Sequence, residues 1–550
     1  MFGWWQVALV VAPQLAAFTT LFATEAGPSA RILFLLTWAT LNFTFLTLLR
    51  RPGLSGALSL LFVVILILCS RLKHDVAQMT VDFVDLLIID RGTVAFLLTI
   101  FPALRWSALI GVLIGGPLAI AIWRFDPFRF RFLVALAGAL ASLATLTGVS
   151  LTWPDEPWRA YLDQDYVSKF ANSGVIAVSD FFRVGLLDAD AATPDRLKLP
   201  LDDVCHPAAR RPHIILVHDE SSFDIRVAPG IKVPPGYGGH FRSFDGKVRT
   251  FMVEGNGGPS WYTEYNVLAG LSSRSFGRFS YFITRIAAGH VERGLPLALR
   301  RCGYHAVSLY PASGAFIGER EFQTTLGIQD FYDDRALGVD GIEPDTFFYD
   351  KALQVLRETP KTEPAFIYVY LAANHFPWDH RFRPDLLKSW SNPGNSPFVD
   401  EYLRRQTISA AQYRDFLSDL KKQFPDEAFL IVRYGDHQPD FTSYILEPGL
   451  TDPEIDARMV NYDPRYYSTY YAIDAVNFKP APSEVAMDRI DGAYLPLVVQ
   501  EAAGLPLDPS FAEQKRIMLR CNGVFYDCGE GAEARRFNRL LIDAGMIKGL

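Results

Sequence analysis

A chain of 550 residues is too long for one ordinary domain, so its composition is read region by region. Its formal net charge of −7 comes with no basic block or stripe beyond short pairs beside the apolar runs, which excludes a nucleic-acid binder. Internal repeats and low-complexity tracts are absent from the sequence, which excludes a solenoid or propeller array.

Up to about Trp153 long apolar runs dominate, whereas the remainder mixes short apolar runs with charge, Gly and Pro as a soluble α/β domain does. A membrane span needs roughly 20 mostly apolar residues. Five runs qualify: about Trp4 to Ala23, Ile32 to Leu49, Leu54 to Cys69, Trp106 to Trp123 and Phe132 to Leu151. Gly92 to Trp106, short and interrupted by Pro102, reads as a re-entrant, interfacial or sixth spanning segment. Arg50 and Arg51 lie between the second and third runs, and Arg124, Arg129 and Arg131 between the fourth and fifth, so both loops should be cytoplasmic. Five spans satisfy both assignments, with the N-terminus inside and the chain emerging outside after Leu151, although Arg71 and Lys73 fall on the opposite side. The first run lacks a basic leading segment and four more follow it, so it is read as a retained anchor.

The expected organisation is a membrane domain over 1–152, a linker over 153–205 and an extracytoplasmic catalytic domain over 206–550. In the linker, "PWRAYL" and "DFFRVG" suggest amphipathic helices along the membrane surface, with a plain solvated connector as the alternative. Of the five cysteines, Cys69 sits in an apolar run and Cys205, Cys302, Cys521 and Cys528 in the soluble part, with no CxxC pair to suggest a zinc ribbon. Outside the cytoplasm these four allow two disulfides, Cys521 with Cys528 being the favoured pair; inside it they would be free thiols.

In open α/β sheets, ligands gather where buried strands end, because helices cover the strand bodies. Three apolar runs end in chemistry: "HIILVH" in Asp219, Glu220 and Ser221, "AFIYVYLAAN" in His375, and "AFLIVRY" in Gly435, Asp436 and His437. Singly, each is readable as a cap or a turn. Together, Glu, Asp and His make a mixed O/N set suited to Zn²⁺ or Mn²⁺. A fourth element, "GNGGPSWYTEYNVLAGL" from Gly255, places Pro259 and Ser260 at a helix start, with Val267, Leu268 and Leu271 at helical spacing. There the free N–H groups and the dipole favour an anion, so a phosphate ester would meet a hydroxyl already in place, with Glu264 one turn on. The competing reading is that Ser260 only caps the helix.

A multi-span anchor, "ES" after the first soluble strand, a hydroxyl opening a helix after a Gly-rich turn, and "GDH" after a late strand resemble the membrane-bound sulfatase-like branch of the alkaline phosphatase superfamily, of the lipoteichoic acid synthase and periplasmic glucan phosphoglycerol transferase type. The resemblance implies an α-helical membrane domain of about five spans followed by an α/β alkaline phosphatase/sulfatase-like domain with a largely parallel central sheet flanked by helices. It implies metal ligation by Glu220, Ser260, Asp436 and His437, with Ser260 as nucleophile; those synthases have threonine in "KTSDxE" where this chain reads "PSWYTE", which keeps Thr263 as runner-up. His375 in "NHFPW" matches the substrate-side histidine, and Arg320 in "FIGERE" falls near the family's arginine; Glu264 and Asn256 complete the expected substrate contacts. Sulfatases proper need a cysteine in a Cys-x-Pro-x-Arg context, and none lies near Ser260.

The implied reaction is metal-dependent transfer of phosphoglycerol from phosphatidylglycerol to an envelope glycan through a phospho-serine intermediate, with one Mn²⁺ or Zn²⁺, Mg²⁺ being admissible. The implied location is a bacterial inner membrane with the catalytic domain facing the periplasm or exterior. Two rivals stay open: a phosphoethanolamine transferase acting on lipid A or a glycan, and an inactive relative that binds envelope components.

Overall fold

The computed structural model describes residues 4–77, 79–89, 94, 98, 103–152, 163–197, 205, 211–339 and 341–550. They form two units, Met1–Gly185 and Leu186–Leu550.

Among the described residues of the first unit, five helices are long and apolar enough to cross a membrane: α1 (Trp4–Thr24), α2 (Pro28–Leu49), α3 (Pro52–Ala77), α4 (Ala103–Phe125) and α5 (Phe132–Thr152). Pro28 occupies the first turn of α2, four residues ahead of the expected start, because proline's fixed φ suits a position whose N–H has no partner. α3 outruns its apolar stretch, continuing through Arg71 and Lys73. Lys73 pairs with Asp85 at 2.8 Å, so the charged turn is held. α2 and α5 meet where Gly138 lies against the ring of Phe43, a side chain at 138 having no room. Most of the Gly92 to Trp106 segment, and all of "PWRAYL", lie outside the described residues.

The linker contains α6 (Tyr166–Arg183). Its Tyr166, Val167 and Phe170 are buried with Phe34, Trp38 and Val63 of the spanning helices, while Phe181, Phe182 and Val184 at its far end are exposed. The early turns of α6 are thus packed on the bundle instead of standing free as a solvated connector, and the aromatic end is the part free to meet lipid.

The second unit is built on one eight-stranded sheet: β1 (His213–Asp219), β2 (Arg249–Met252), β3 (His305–Leu309), β4 (Asp330–Tyr332), β5 (Ala365–Tyr370), β6 (Phe429–Gly435), β7 (Ser468–Val476) and β8 (Arg489–Asp491). Their spatial order is β4-β3-β5-β1-β6-β7-β2-β8, parallel throughout except where β7 runs against β6 and β2. β1 is central, and its Ile214, Ile215, Leu216 and Val217 are fully buried, which is why the run carries no alternation. Ile215 and Val217 face a core shared with Phe348 and Leu353 of α8 (Asp345–Glu358) and with Phe416 and Leu420 of α9 (Pro397–Gln423). By strand alternation His218 then faces the other side of the sheet. Disulfides join Cys205 to Cys302 and Cys521 to Cys528, so the free-thiol alternative does not hold.

Candidate active site

The parallel register brings the strand ends level, pairing Asp219 of β1 with Gly435 of β6, and His218 with Tyr434 and Tyr370. Glu220 and Asp436 therefore leave adjacent strands side by side. Asp436 Oδ1 accepts the backbone N–H groups of Ser221 (2.7 Å) and His437 (2.8 Å). Ser221 reaches it by adopting a left-handed φ of 49°, a conformation that costs free energy in a non-glycine residue and gathers at functional sites. His437 donates Nδ1–H to the Gln438 carbonyl at 2.8 Å, which turns Nε2 towards the carboxylates, 3.4 Å from Glu220 Oε1 and 3.3 Å from Asp436 Oδ2.

The Gly-rich turn is tied to the same corner, since Gly257, at φ 68°, donates its N–H to Gln438 O (3.0 Å). The helix that follows, α7 (Ser260–Ala269), has Pro259 at its cap position, one residue earlier than expected, and no side-chain cap. Ser260 does not cap it. Its hydroxyl instead lies 3.3 Å from Glu220 Oε2 and 3.2 Å from His437 Nε2, at 7% exposure, in the turn where unpaired N–H groups favour an anion. Thr263, fully buried, donates to the Asp436 carbonyl at 2.6 Å and so braces the aspartate.

The other expected residues are placed unevenly. His375 is half-buried, donates Nδ1–H to Phe376 O (2.8 Å) and stacks on the Phe376 ring; its charge is felt at Glu220. Its loop is held by Arg405, fully buried on α9, which donates to the carbonyls of His375 and Pro377, both at 2.7 Å. Asn256 donates to Tyr466 O, a turn-fixing contact. Glu264 is buried behind the site, reached by the Tyr368 hydroxyl at 3.4 Å, and is therefore no surface contact for substrate. Arg320 donates to Asp333 (2.5 Å) and to Phe331 O (2.9 Å) and covers the Phe331 ring, with its side chain still 47% exposed.

Sequence reasoning passed over three buried groups. Tyr370 at the end of β5 donates to Glu220 Oε2 at 3.1 Å. Glu319 stands close enough to Glu264 for its charge to be felt there, and His218 reaches Asp436 Oδ2 at 3.1 Å.

The charges set themselves against burial. Desolvation alone would raise the Glu220 carboxyl, but the hydrogen bond from His437 and the histidine charges around it hold it well below its usual range. Desolvation alone would lower the His437 imidazole; Asp436 and Glu220 lift it to about 9. Burial, then Glu319 and Asp436, push Glu264 well above its usual value, and burial pushes Glu319 up to about 8, so this carboxyl pair keeps a proton near neutral pH.

A divalent ion fits this donor set. Among the described residues, His218 Nε2 and Asp436 Oδ2 are fully buried with no hydrogen-bond partner, and His218, Glu220 and Asp436 offer ligand atoms within 4.8 Å of one another. Such orphaned atoms are expensive in protein alone and suit a cation.

Residues 261–472, from the position after Ser260 through Asp436 and His437, match the family described as Sulfatase. The match spans part of the second unit only, and Ser260 lies just before it. The chain matches no curated protein. Among solved structures, the phosphoglycerol transferase GacH of Streptococcus pyogenes, bound to sn-glycerol-1-phosphate, is 16% identical over 61% of this chain and 85% of its own, with a TM-score of 0.46. The lipoteichoic acid synthase LtaP of Listeria monocytogenes is 18% identical over 56% and 76%, with a TM-score of 0.42. The lipooligosaccharide phosphoethanolamine transferase A of Neisseria meningitidis is 14% identical over 74% and 82%, with a TM-score of 0.36.

In this domain one glycine closes the site. A Cβ at Gly435 would overlap the Ser222 carbonyl oxygen, a backbone atom that cannot swing aside. Gly435→Ala is expected to pull Asp436 off the Ser221 amide and weaken divalent-ion binding about tenfold, the scale of a lost orienting contact. Calorimetric titration measures it, and an unchanged affinity would mean that the corner yields.

Proposed function

We propose that this chain is a membrane-anchored phosphoryl-group transferase in which Ser260 takes a phosphoglycerol group from phosphatidylglycerol and passes it to an envelope glycan. The observation that carries this reading is the Ser260 hydroxyl at a helix N-terminus, within 3.3 Å of both Glu220 and His437.

In the first half-reaction the Ser260 Oγ–P bond forms and the P–O bond to diacylglycerol breaks. Glu220 Oε2 is the acceptor in reach of the hydroxyl proton, and His375 would protonate the departing oxygen. In the second, a glycan hydroxyl attacks phosphorus, its O–P bond forms, and Ser260 Oγ leaves and recovers a proton. A divalent ion held by Glu220, Ser260, Asp436 and His437, Mn²⁺ or Zn²⁺ by donor type, would polarise the hydroxyl and neutralise phosphoryl charge. The free amides of α7 add to that neutralisation. Arg320 or a neighbour would pair with phosphoryl charge.

The disulfides of the second unit favour an oxidising compartment, and Arg50, Arg51, Arg124, Arg129 and Arg131 favour the opposite side for their loops. Both support a multi-pass protein of a bacterial inner membrane with its catalytic domain outside. A diacyl donor stays in the bilayer, so an anchored enzyme searches a plane instead of a volume.

The test is the full chain in vesicles carrying phosphatidylglycerol or phosphatidylethanolamine with labelled head groups, supplied with Mn²⁺ or Zn²⁺. Diacylglycerol release from phosphatidylglycerol is the expected result. Consumption of phosphatidylethanolamine alone would transfer the reading to the phosphoethanolamine rival, and consumption of neither would end it.

A further inference from the structure

We propose that His218 is an additional imidazole ligand of the ion held by Glu220, Ser260, Asp436 and His437, set in place by a buried tyrosine chain. This inference rests on the metal reading of the site.

His218 lies one register step inside the sheet, at 0% exposure, so neither substrate nor solvent reaches it. Its ring is clamped flat on Tyr370, with centroids 3.8 Å apart and planes 17° apart. Nδ1 is 3.0 Å from the hydroxyls of both Tyr434 and Tyr368, those hydroxyls are 3.0 Å from one another, and Tyr368 donates on to Glu264 Oε1 at 3.4 Å.

With Glu264 Oε1 as the acceptor at its end, the chain runs His218 Nδ1–H to Tyr434, Tyr434 O–H to Tyr368, and Tyr368 O–H to Glu264, and each donor has an acceptor. A consequence follows for the other ring nitrogen. With Nδ1 carrying the proton, Nε2 holds a lone pair, and it stands 3.1 Å from Asp436 Oδ2 and 3.9 Å from Glu220 Oε2. Neither Nε2 nor Oδ2 makes a hydrogen bond despite that separation. Two lone pairs so close in a dry site repel, and a shared cation turns the repulsion into ligation. The rival arrangement moves a proton to Nε2 and makes His218 a donor that merely positions Asp436.

The full chain in detergent, loaded with Mn²⁺ and studied by pulsed EPR, separates the two by counting coupled imidazoles. Two are expected in the wild type, falling to one in His218→Gln, with Mn²⁺ affinity weakened about tenfold. A wild-type signal from a single imidazole, or two imidazoles persisting in His218→Gln, overturns the inference and leaves the metal reading standing. A wild-type chain that takes up no ion overturns both. The wild-type count needs no variant, so the test survives a His218→Gln chain that fails to fold.

Discussion

Replacing Ser260 by alanine should, under the proposed mechanism, cut transfer from a phospholipid donor by at least about a thousandfold, because the variant would lose the atom that bonds to phosphorus and not merely an orienting contact. The neighbouring Thr263 cannot substitute. Its hydroxyl is fully buried and spent on the Asp436 carbonyl at 2.6 Å, whereas Ser260 keeps 7% exposure and faces the carboxylate and imidazole. Ser260→Thr, which keeps the oxygen, should lose far less than the alanine variant. Labelled head group should be recoverable on the wild-type chain when no acceptor is present, and never on Ser260→Ala. Activity in Ser260→Ala above a tenth of wild type would remove Ser260 from the mechanism.

The parts of this site that sequence made legible are those where a buried strand stops. The bodies of β1 and β6 carry apolar runs without alternation because both faces are covered, so carboxylates just after each run had to lie at the sheet edge; Glu220 and Asp436 do so. His218 escaped notice for the same reason in reverse. It stands inside the run, where an interior histidine reads as core, and only the register shows that Tyr370 and Tyr434 flank it on the same face. Read by strand alternation, the tyrosines of "AFIYVY" and "AFLIVRY" were the available signal. Spacing put Arg320 near the family's arginine, and its pairing with Asp333, thirteen residues on, is one that nothing local in "FIGERE" announces. The bond between Cys205 and Cys302 spans 97 residues and was beyond any local pattern, whereas the short loop from Cys521 to Cys528 was not.

Divalent-ion uptake should tighten about a hundredfold between pH 6 and pH 8. The group responsible is His437, whose imidazole is lifted to about 9 by Asp436 and Glu220 after burial has pulled the other way. Below that value the ring carries a proton on the nitrogen that faces the carboxylates, and a protonated imidazole is no ligand. Each unit of pH below about 9 therefore costs roughly tenfold in apparent affinity, one proton leaving for each ion bound. The effect on the metal-free fold has the opposite sign. A folded-state value raised above the ordinary 6.5 contributes stability that is fully present below about 6.5 and is lost as pH rises through about 9. The metal-free chain should thus lose thermal stability over the same window in which its affinity for the ion grows, because the proton and the ion compete for one pair of carboxylates. Calorimetry in two buffers of different ionisation enthalpy counts the protons released, while melting curves with and without ion follow the stability. Affinity that does not change between pH 6 and pH 8 would mean that His437 is neutral before the ion arrives, and that the carboxylates do not hold the imidazolium that their geometry implies.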